Sequence, residues 1–426
     1  MDIVFLFVLM GGLMTASIPI GIAIGIATAV SMTMFSNLPL VFIPQYCFTA
    51  IDSFPLLAIP YFTLAGNLMG GSGISKRIVL FAESLVGFIT GGLAMITVTA
   101  CMFFAAISGS GPATVSAIGS FMIPQMKEKK YDGAFAAALT AAAGSIGIII
   151  PPSIPFVLYC VITGASVSDL FLAGVIPGIM IGVALMVTSY FIAKKRGYPV
   201  AIERFSLIGV FRAFRKSFWA LLVPVIIMGG IYGGVFTPTE AAVIGVFYAL
   251  FVGFFIHREL SLDGVLNALR ETIVVNGAGT FILGLSMSFA TYLTIEQIPM
   301  RIGEWIVSMS SSKYVVLLLI NIFLLIVGCF IDNLSSMIIL TPIFLPVVHG
   351  LGVDTVHFGL FMTVALGIGF VTPPFGSNLF VASTVSRERI DSISSNAVPF
   401  ILAMIVVLFI LTYVPWFSMA LVNLTR

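Results

Sequence analysis

The chain has 426 residues, 60% of them hydrophobic and only 8% charged, with a net charge of +2 and a mean hydropathy of +1.18. A soluble protein of this length needs far more charge to cover its surface, so a polytopic helical membrane protein is expected, not a soluble domain with an anchor. The small net charge, without basic runs interleaved with aromatics, gives no sign of nucleic acid as a partner.

Apolar runs divided by turn and charge signals predict five spans and one helical hairpin in each half. The first segment, 3–16, has no basic stretch before it and reads as a retained first helix. Spans are expected near 3–17, 20–36 and 50–70, the last closing at Gly70-Gly-Ser-Gly73. Lys76, Arg77 and Glu83 mark an amphipathic stretch, 75–90, suited to the membrane interface. The run 93–126 is too long for one helix and breaks in its middle. Each arm is about 15 residues, or ~22 Å, which fits a hairpin that dips into the membrane and returns. The next span, 133–164, breaks at Pro151-Pro152, and another covers 169–193. A basic connector, 194–217, holds seven Lys and Arg residues and a single acid, Glu203. The second half follows the same plan. Spans are expected near 218–236, 239–256 and 273–294, then a surface stretch at 297–310, a hairpin at 314–348, a broken helix at 356–383 and a last span at 396–421.

Subtraction shows that the halves are related. Pro124 and Pro346, Gly147 and Gly369, Pro151-Pro152 and Pro373-Pro374, Asp169 and Asp391, and Pro177 and Pro399 are all offset by 222. The expected division is therefore a first repeat at 1–193, the connector at 194–217 and a second repeat at 218–426. With the connector in the cytoplasm, five spans and a hairpin per half orient the repeats oppositely and put both termini outside. Sixteen of the 19 Lys and Arg then lie on the cytoplasmic side, the exceptions being Arg301, Lys313 and Arg426. The expected fold is an all-α polytopic membrane protein with an inverted-topology repeat.

Two stretches carry the chemistry: Ser108-Gly-Ser-Gly-Pro-Ala-Thr114 and Ile148-Ile-Ile-Pro-Pro-Ser153. Their partners are Asp332-Asn-Leu-Ser-Ser336 and Phe370-Val-Thr-Pro-Pro-Phe375. Breaking a helix in hydrocarbon leaves backbone groups unpaired, which is tolerated where they line a cavity or bind something. Proline lacks an N–H, so Pro151 frees the Gly147 carbonyl, Pro152 that of Ile148, Pro373 that of Gly369 and Pro374 that of Phe370. Each break also ends a half-helix whose last carbonyls are partly negative. Oxygen-rich sites of this kind suit Na⁺. A single such break would merely shape a helix, but duplicated beside hairpin tips they fit a cation site. At the tips, Gly111-Pro112 predicts a helix start with Pro112 at its first position and Ser108 and Ser110 as candidate caps. That half-helix aims its positive end at the midplane, where it suits a carboxylate. The second tip offers Asn333, Ser335 and Ser336.

Asp332 is the exception among charges, lying within an apolar run. It reads as a cation contact or gating group, with a helix cap as the structural alternative. Glu240, after Thr237-Pro-Thr239, reads as a helix N-terminal acid. His257, His349 and His357 fall near span ends and read as surface or interfacial groups, and Trp219, Trp305 and Trp416 as interface anchors. The 4 cysteines, Cys47, Cys101, Cys160 and Cys329, lack a CxxC pair and read as membrane-embedded thiols. Gly109-Ser110-Gly111 faintly suggests an intramembrane serine protease, but no histidine lies at matching depth. Paired breaks also fit alternating access better than a continuous channel.

On Ser108-Gly-Ser-Gly-Pro-Ala-Thr114 and Gly147-Ile-Ile-Ile-Pro-Pro-Ser153, with the duplicate at Gly369–Pro374, the chain resembles the large membrane subunit of tripartite ATP-independent periplasmic (TRAP) transporters over essentially its whole length. The resemblance implies an elevator-type secondary transporter of the bacterial inner membrane, importing an organic acid on a sodium gradient. It implies Na⁺ held by Ser108, Ser110, Gly147, Ile150 and Pro152 in the first half and by Asn333, Gly369, Thr372 and Pro374 in the second. Substrate is expected against Ser108, Ser110, Gly111, Pro112, Asn333, Ser335 and Ser336. It further implies a small four-helix membrane subunit, expected as a separate polypeptide, and a periplasmic binding protein that delivers the substrate. Sialic acid or another sugar acid is favoured, with a C4-dicarboxylate as the other candidate. The runner-up is a stand-alone carboxylate symporter or antiporter needing no binding protein.

Overall fold

The structure, a computed structural model, describes residues 2–16, 18–298, 301 and 312–425. Every regular element among these is a helix. Helices α1 (Asp2–Thr15), α2 (Ile20–Phe35), α3 (Phe42–Ile51), α4 (Ala58–Gly71) and α5 (Ile74–Val86) lead to a helical pair, α6 (Gly92–Ser108) and α7 (Gly111–Glu128). A broken helix follows: α8 (Gly133–Gly144), a tighter turn at Ser145–Ile148, and α9 (Ile154–Thr163). Helix α10 (Val167–Arg196) leads on to α11 (Leu207–Tyr232), α12 (Pro238–Phe251) and α13 (Leu262–Ile295). The order of pair and broken helix then recurs as α14 (Lys313–Gly328) with α15 (Asn333–Gly350), and α16 (Thr355–Gly369) with α17 (Ser377–Ser386). Helices α18 (Ile390–Tyr413) and α19 (Trp416–Thr425) close the chain. Among the described residues six helices are long and apolar enough to cross a membrane, or seven if the bent pair Phe42–Ile51 and Phe54–Gly71 counts as one span. The protein is thus a multi-pass membrane protein.

Local chemistry explains where the helices stop. Ser110, Asp132, Ser153, Ser166, Ser206 and Ser261 each cap a following helix with a side-chain oxygen. Thr237 and Glu240 form a reciprocal capping box at the start of α12, the role read for Glu240 from the sequence.

Several boundaries differ from the expectation. The span read at 50–70 is the second arm of a longer unit bent by 63°, because Asp52, Ser53 and Pro55 stop α3 and restart the chain as α4. The connector read at 194–217 is helical at both ends. Lys194, Lys195 and Arg196 form the last turn of α10, and Arg212, Arg215 and Lys216 lie within α11. The last span, read as 396–421, is interrupted at Val414 and Pro415, since proline cannot continue the helix. Pro112 is the second residue of α7, not its first, because Gly111 begins the helix. Most of the stretch at 297–310, Trp305 included, lies outside the described residues; Trp219 and Trp416 are exposed.

The broken helices form the centre. All of α8 but Gly133 and all of α16 but Thr355 are buried. Helix α8 packs on α6, α7, α17 and α18, and α16 packs on α14, α15, α10 and α18. Outside this core, α11, α12 and α13 keep long apolar side chains exposed, among them Val225, Phe247, Ile273 and Val274. In a membrane protein such a face is covered by lipid or by another membrane helix.

Charges gather at one end. Arg77 pairs with Glu259 at 2.8 Å and Lys127 with Glu388 at 2.6 Å. The connector docks there through Gly92 N–H to the Pro199 carbonyl and Ala201 N–H to the Gly87 carbonyl. Tyr131 stacks on Tyr198 at 4.0 Å. His357 departs from its surface reading. It is 3% exposed, with Nδ1 2.7 Å from Ser418 Oγ and Nε2 3.2 Å from the Thr412 carbonyl, so it pins α16 to α18 and α19. His357→Ala is expected to lose about 2–4 kcal/mol, read as a fall in melting temperature in detergent. Arg389→Ala, which removes an ion pair that is 85% and 84% exposed, should leave that temperature unchanged. Equal melting temperatures for both variants would remove the role given to the ring.

Candidate functional site

At the first tip only Gly109 and Ser110 separate α6 from α7. Gly109 takes a φ of 63°, the left-handed conformation that ends a helix, which a side chain would strain. Thr114 commits its hydroxyl proton to the Ser110 carbonyl at 2.8 Å. Ser108 therefore donates to Thr114 Oγ1 at 2.9 Å and accepts from Ser110 N–H at 3.4 Å, which leaves one lone pair on the Ser108 oxygen. Gly147, in the turn after α8, lies against this tip. A methyl group there would come within 2.6 Å of both the Ser110 carbonyl oxygen and Thr114 Oγ1. Ile154 N–H donates to the Gly109 carbonyl at 3.2 Å, and the Pro152 carbonyl lies beside Gly109. The structure thus brings Ser108, Ser110, Gly147 and Pro152 together. Ile150 shares the same break, though its side chain packs on Gly178 of α10.

The second tip is tied to its break in a parallel way. Phe375 N–H donates to the Cys329 carbonyl at 3.1 Å, and a methyl group on Gly369 would collide with the Gly328 backbone. Around α15, Asn333 is 1% exposed and Ser335 and Ser336 are fully buried. Both polar atoms of the Asn333 side chain, Ser335 Oγ and Ser336 Oγ have no hydrogen-bond partner among the described residues. These four orphaned polar atoms cluster at one helix start, an arrangement that an ordered water, an ion or a ligand would satisfy. Asp332 is exposed and caps α15, accepting from Ser335 N–H at 3.1 Å, so its present contact is the structural one of its two readings.

The proline arithmetic holds only in part. The Ile148 carbonyl is taken by Ser153 Oγ at 2.6 Å. The Phe370 carbonyl accepts from Asn378 N–H at 3.0 Å, and the Gly369 carbonyl accepts from Thr372 N–H at 3.1 Å. Thr372 Oγ1 donates to the Ile368 carbonyl at 2.8 Å. The helix ends tighten into shorter turns and so recover bonds that a simple helix with proline would lose. Of the four carbonyls named, only that of Gly147 is without such a bond among the described residues. A carbonyl has a second lone pair, so the others can still face a cation. Pro374 sits in the second break, after Pro373.

The two breaks meet. Gly367 lies against Ile148, and Gly111 of the first tip lies against Phe370 and Asn378 of the second break. Asn378 is fully buried and donates to the Ala141 carbonyl at 2.9 Å and Ser145 Oγ at 3.3 Å. Sequence reasoning missed it because the offset of 222 pairs it with Phe156, so the duplication hid a residue that has no duplicate. A polar residue within the apolar run after Gly376 was the available signal. No group of three or more His, Cys, Asp or Glu residues converges among the described residues. The donors on offer at the breaks are hydroxyls, amides and backbone carbonyls.

Comparison with known proteins agrees with this plan. The family described as "Tripartite ATP-independent periplasmic transporter, DctM component" matches residues 5–417. The isethionate TRAP transporter permease protein DctMQ of Oleidesulfovibrio alaskensis is 46% identical over 94% of this chain and 63% of its own length. The chain therefore spans somewhat less than two thirds of that relative. The C4-dicarboxylate large permease protein DctM of Pseudomonas aeruginosa is 42% identical over 99% of both chains. The sialic acid large permease protein SiaM of Vibrio cholerae is 38% identical over 97% of this chain and 96% of its own. Among solved structures, the YdaH transporter of Alcanivorax borkumensis matches with a TM-score of 0.65 at 15% identity over 90% of each chain, which shows a shared fold. These relatives are transporter permeases and not enzymes, and this chain belongs to the DctM family of tripartite ATP-independent periplasmic transporter components.

Proposed function

We propose that the chain imports an organic anion across the inner membrane on a sodium gradient, with Na⁺ held at the two helix breaks. The observation that carries this reading is the pair of oxygen-rich tips, whose buried groups are uncharged, with Asp332 exposed at the edge of the second. Asn333, Ser335 and Ser336 are orphaned at one, and Ser108, Ser110 and Gly147 converge at the other. Carbonyls at the ends of interrupted helices suit Na⁺, and the positive starts of α7 and α15 suit an anionic group. A carboxylate or sulfonate carried into a low-dielectric site without a counter-charge is strongly disfavoured. Bound Na⁺ supplies that counter-charge, which makes uptake depend on the cation. The relatives carry names for isethionate, C4-dicarboxylate and sialic acid, so the substrate class is a small organic anion. Likeness is distributed across all three and does not single out sialic acid.

The remaining features belong to the same proposal. The two halves are oppositely oriented repeats, 1–193 and 218–426, with the connector in the cytoplasm. In support, α7 packs on α17 of the other half and α15 on α9. An elevator motion is supported by the packing pattern. Helices α2, α3, α4, α11, α12 and α13 contact one another, while α6 to α9 and α14 to α17 form the core that would slide. Helix α5 bridges the two groups through α11 and α6, and the groups also meet directly where α13 packs on α15 and α4 on α6. A small membrane subunit and a periplasmic binding protein complete the system.

In proteoliposomes holding the chain and its small subunit, uptake is expected only with an inward Na⁺ gradient and the binding protein together. A panel of isethionate, C4-dicarboxylates and sialic acid reads the substrate. Uptake that survives without Na⁺ would overturn the coupling, and uptake without the binding protein would favour a stand-alone symporter. Gly147→Ala forces its methyl against the Ser110 carbonyl and should raise the Na⁺ concentration for half-maximal uptake about tenfold, a cost of about 1–3 kcal/mol for overpacking. Asp332→Asn keeps an equally good cap. If the carboxylate serves coupling, this variant changes the Na⁺ response at unaltered melting temperature, and an unchanged response leaves Asp332 as a cap alone.

A further inference from the structure

We infer that Asn378 is the positioning residue that couples the two Na⁺ sites to one another. The inference rests on the Na⁺ reading above and goes beyond it, because nothing in the duplicated motifs contains this residue. Its main-chain N–H donates to the Phe370 carbonyl at 3.0 Å, next to Gly369 in the second break. Its side-chain amide crosses to the first half and donates to Ala141, in the last turn of α8, at 2.9 Å. The same amide donates to Ser145 Oγ at 3.3 Å, and Ser145 opens the turn that carries Gly147. One residue therefore joins the turn at Gly147 to the carbonyl beside Gly369 through three hydrogen bonds.

Two features separate this from an ordinary buried strut. The amide orientation is fixed by the Ala141 carbonyl, which can only accept, so Nδ2 faces α8 and Oδ1 faces the other way. Oδ1 is buried, has no partner among the described residues, and lies 3.1 Å from where a Gly111 methyl group would sit at the first hairpin tip. That unpaired acceptor sits against the first tip, so the one side chain reaches the tip as well as the turn at Gly147. The second feature is asymmetry. The residue 222 positions earlier is Phe156, an apolar side chain buried against Gly174, so the first half has no reciprocal link. When a cation draws the Gly147 turn toward the first tip, Ser145 and Ala141 move with it. Asn378 then passes that displacement to the Phe370 carbonyl and the second site. Linkage makes the effect reciprocal.

The test is the Na⁺ activation curve of uptake in proteoliposomes containing the chain, its small subunit and the binding protein. The parent should be sigmoidal, with a Hill coefficient near the number of coupled sites, about 2. Asn378→Ala should lower the coefficient from the parent's value toward that of two independent sites while uptake at saturating Na⁺ persists, and Asn378→Asp should do the same because it loses the donors to Ala141 and Ser145. Ser145→Ala removes only the longer bond and should give an intermediate value. A role in packing alone would lower maximal uptake at an unchanged Hill coefficient, and that outcome overturns the inference. If neither Asn378 variant yields folded protein, Ser145→Ala decides, and an unchanged coefficient there overturns it equally. A parent whose uptake ignores Na⁺ overturns the sodium reading itself, and this inference with it.

Discussion

The structure depends on one constraint: a backbone interrupted inside hydrocarbon must find partners for its freed groups. Here each interruption is closed by another. The first break donates from Ile154 to Gly109 of the first tip, and the second donates from Phe375 to Cys329 of the second tip. Glycine at 147 and 369 lets these pieces approach to main-chain contact, which any side chain would prevent. What is left over is a set of hydroxyl, amide and carbonyl oxygens that face no protein donor. On the function proposed above, those leftovers are what binds.

That arrangement connects the chemistry to the fold. Carbonyls at helix ends carry partial negative charge and helix starts carry partial positive charge, so interrupted helices present both signs at one depth without an ionised side chain. A cation and an anion can then be held as neighbours, each reducing the other's cost of leaving water. Apart from Asp332, which caps α15, the ion-paired residues are elsewhere. Arg77, Lys127, Glu259 and Glu388 pair at the end where the connector docks.

Much of the fold was legible because its punctuation is chemical. Gly109 to Pro112 and Pro151-Pro152 cannot continue a helix, and the structure breaks at both places. The bend at Asp52 to Pro55 was missed because its first arm, α3, includes Pro44 and Gln45 and lacks a clean apolar run. The connector's helical ends were missed because its basic residues looked like loop, although lysine and arginine are good helix formers. His357 looked interfacial from its position near a span end. Only the fold reveals that Ser418 and Thr412, from a later segment, close over it. Asn378 shows the limit of reading by duplication. The offset finds what the halves share and is blind to what one half has alone.

The central claim is that the two breaks and their tips hold Na⁺ through uncharged oxygens. A high-resolution cryo-EM map of the protein with its small subunit, recorded in Na⁺ and again with choline replacing it, tests this most directly. The account predicts cation density among Ser108, Ser110 and Gly147 and again among Asn333, Gly369 and Thr372, with both features lost in choline. Identical density in the two maps, or a cation held only at Asp332 or another charged side chain, would contradict it.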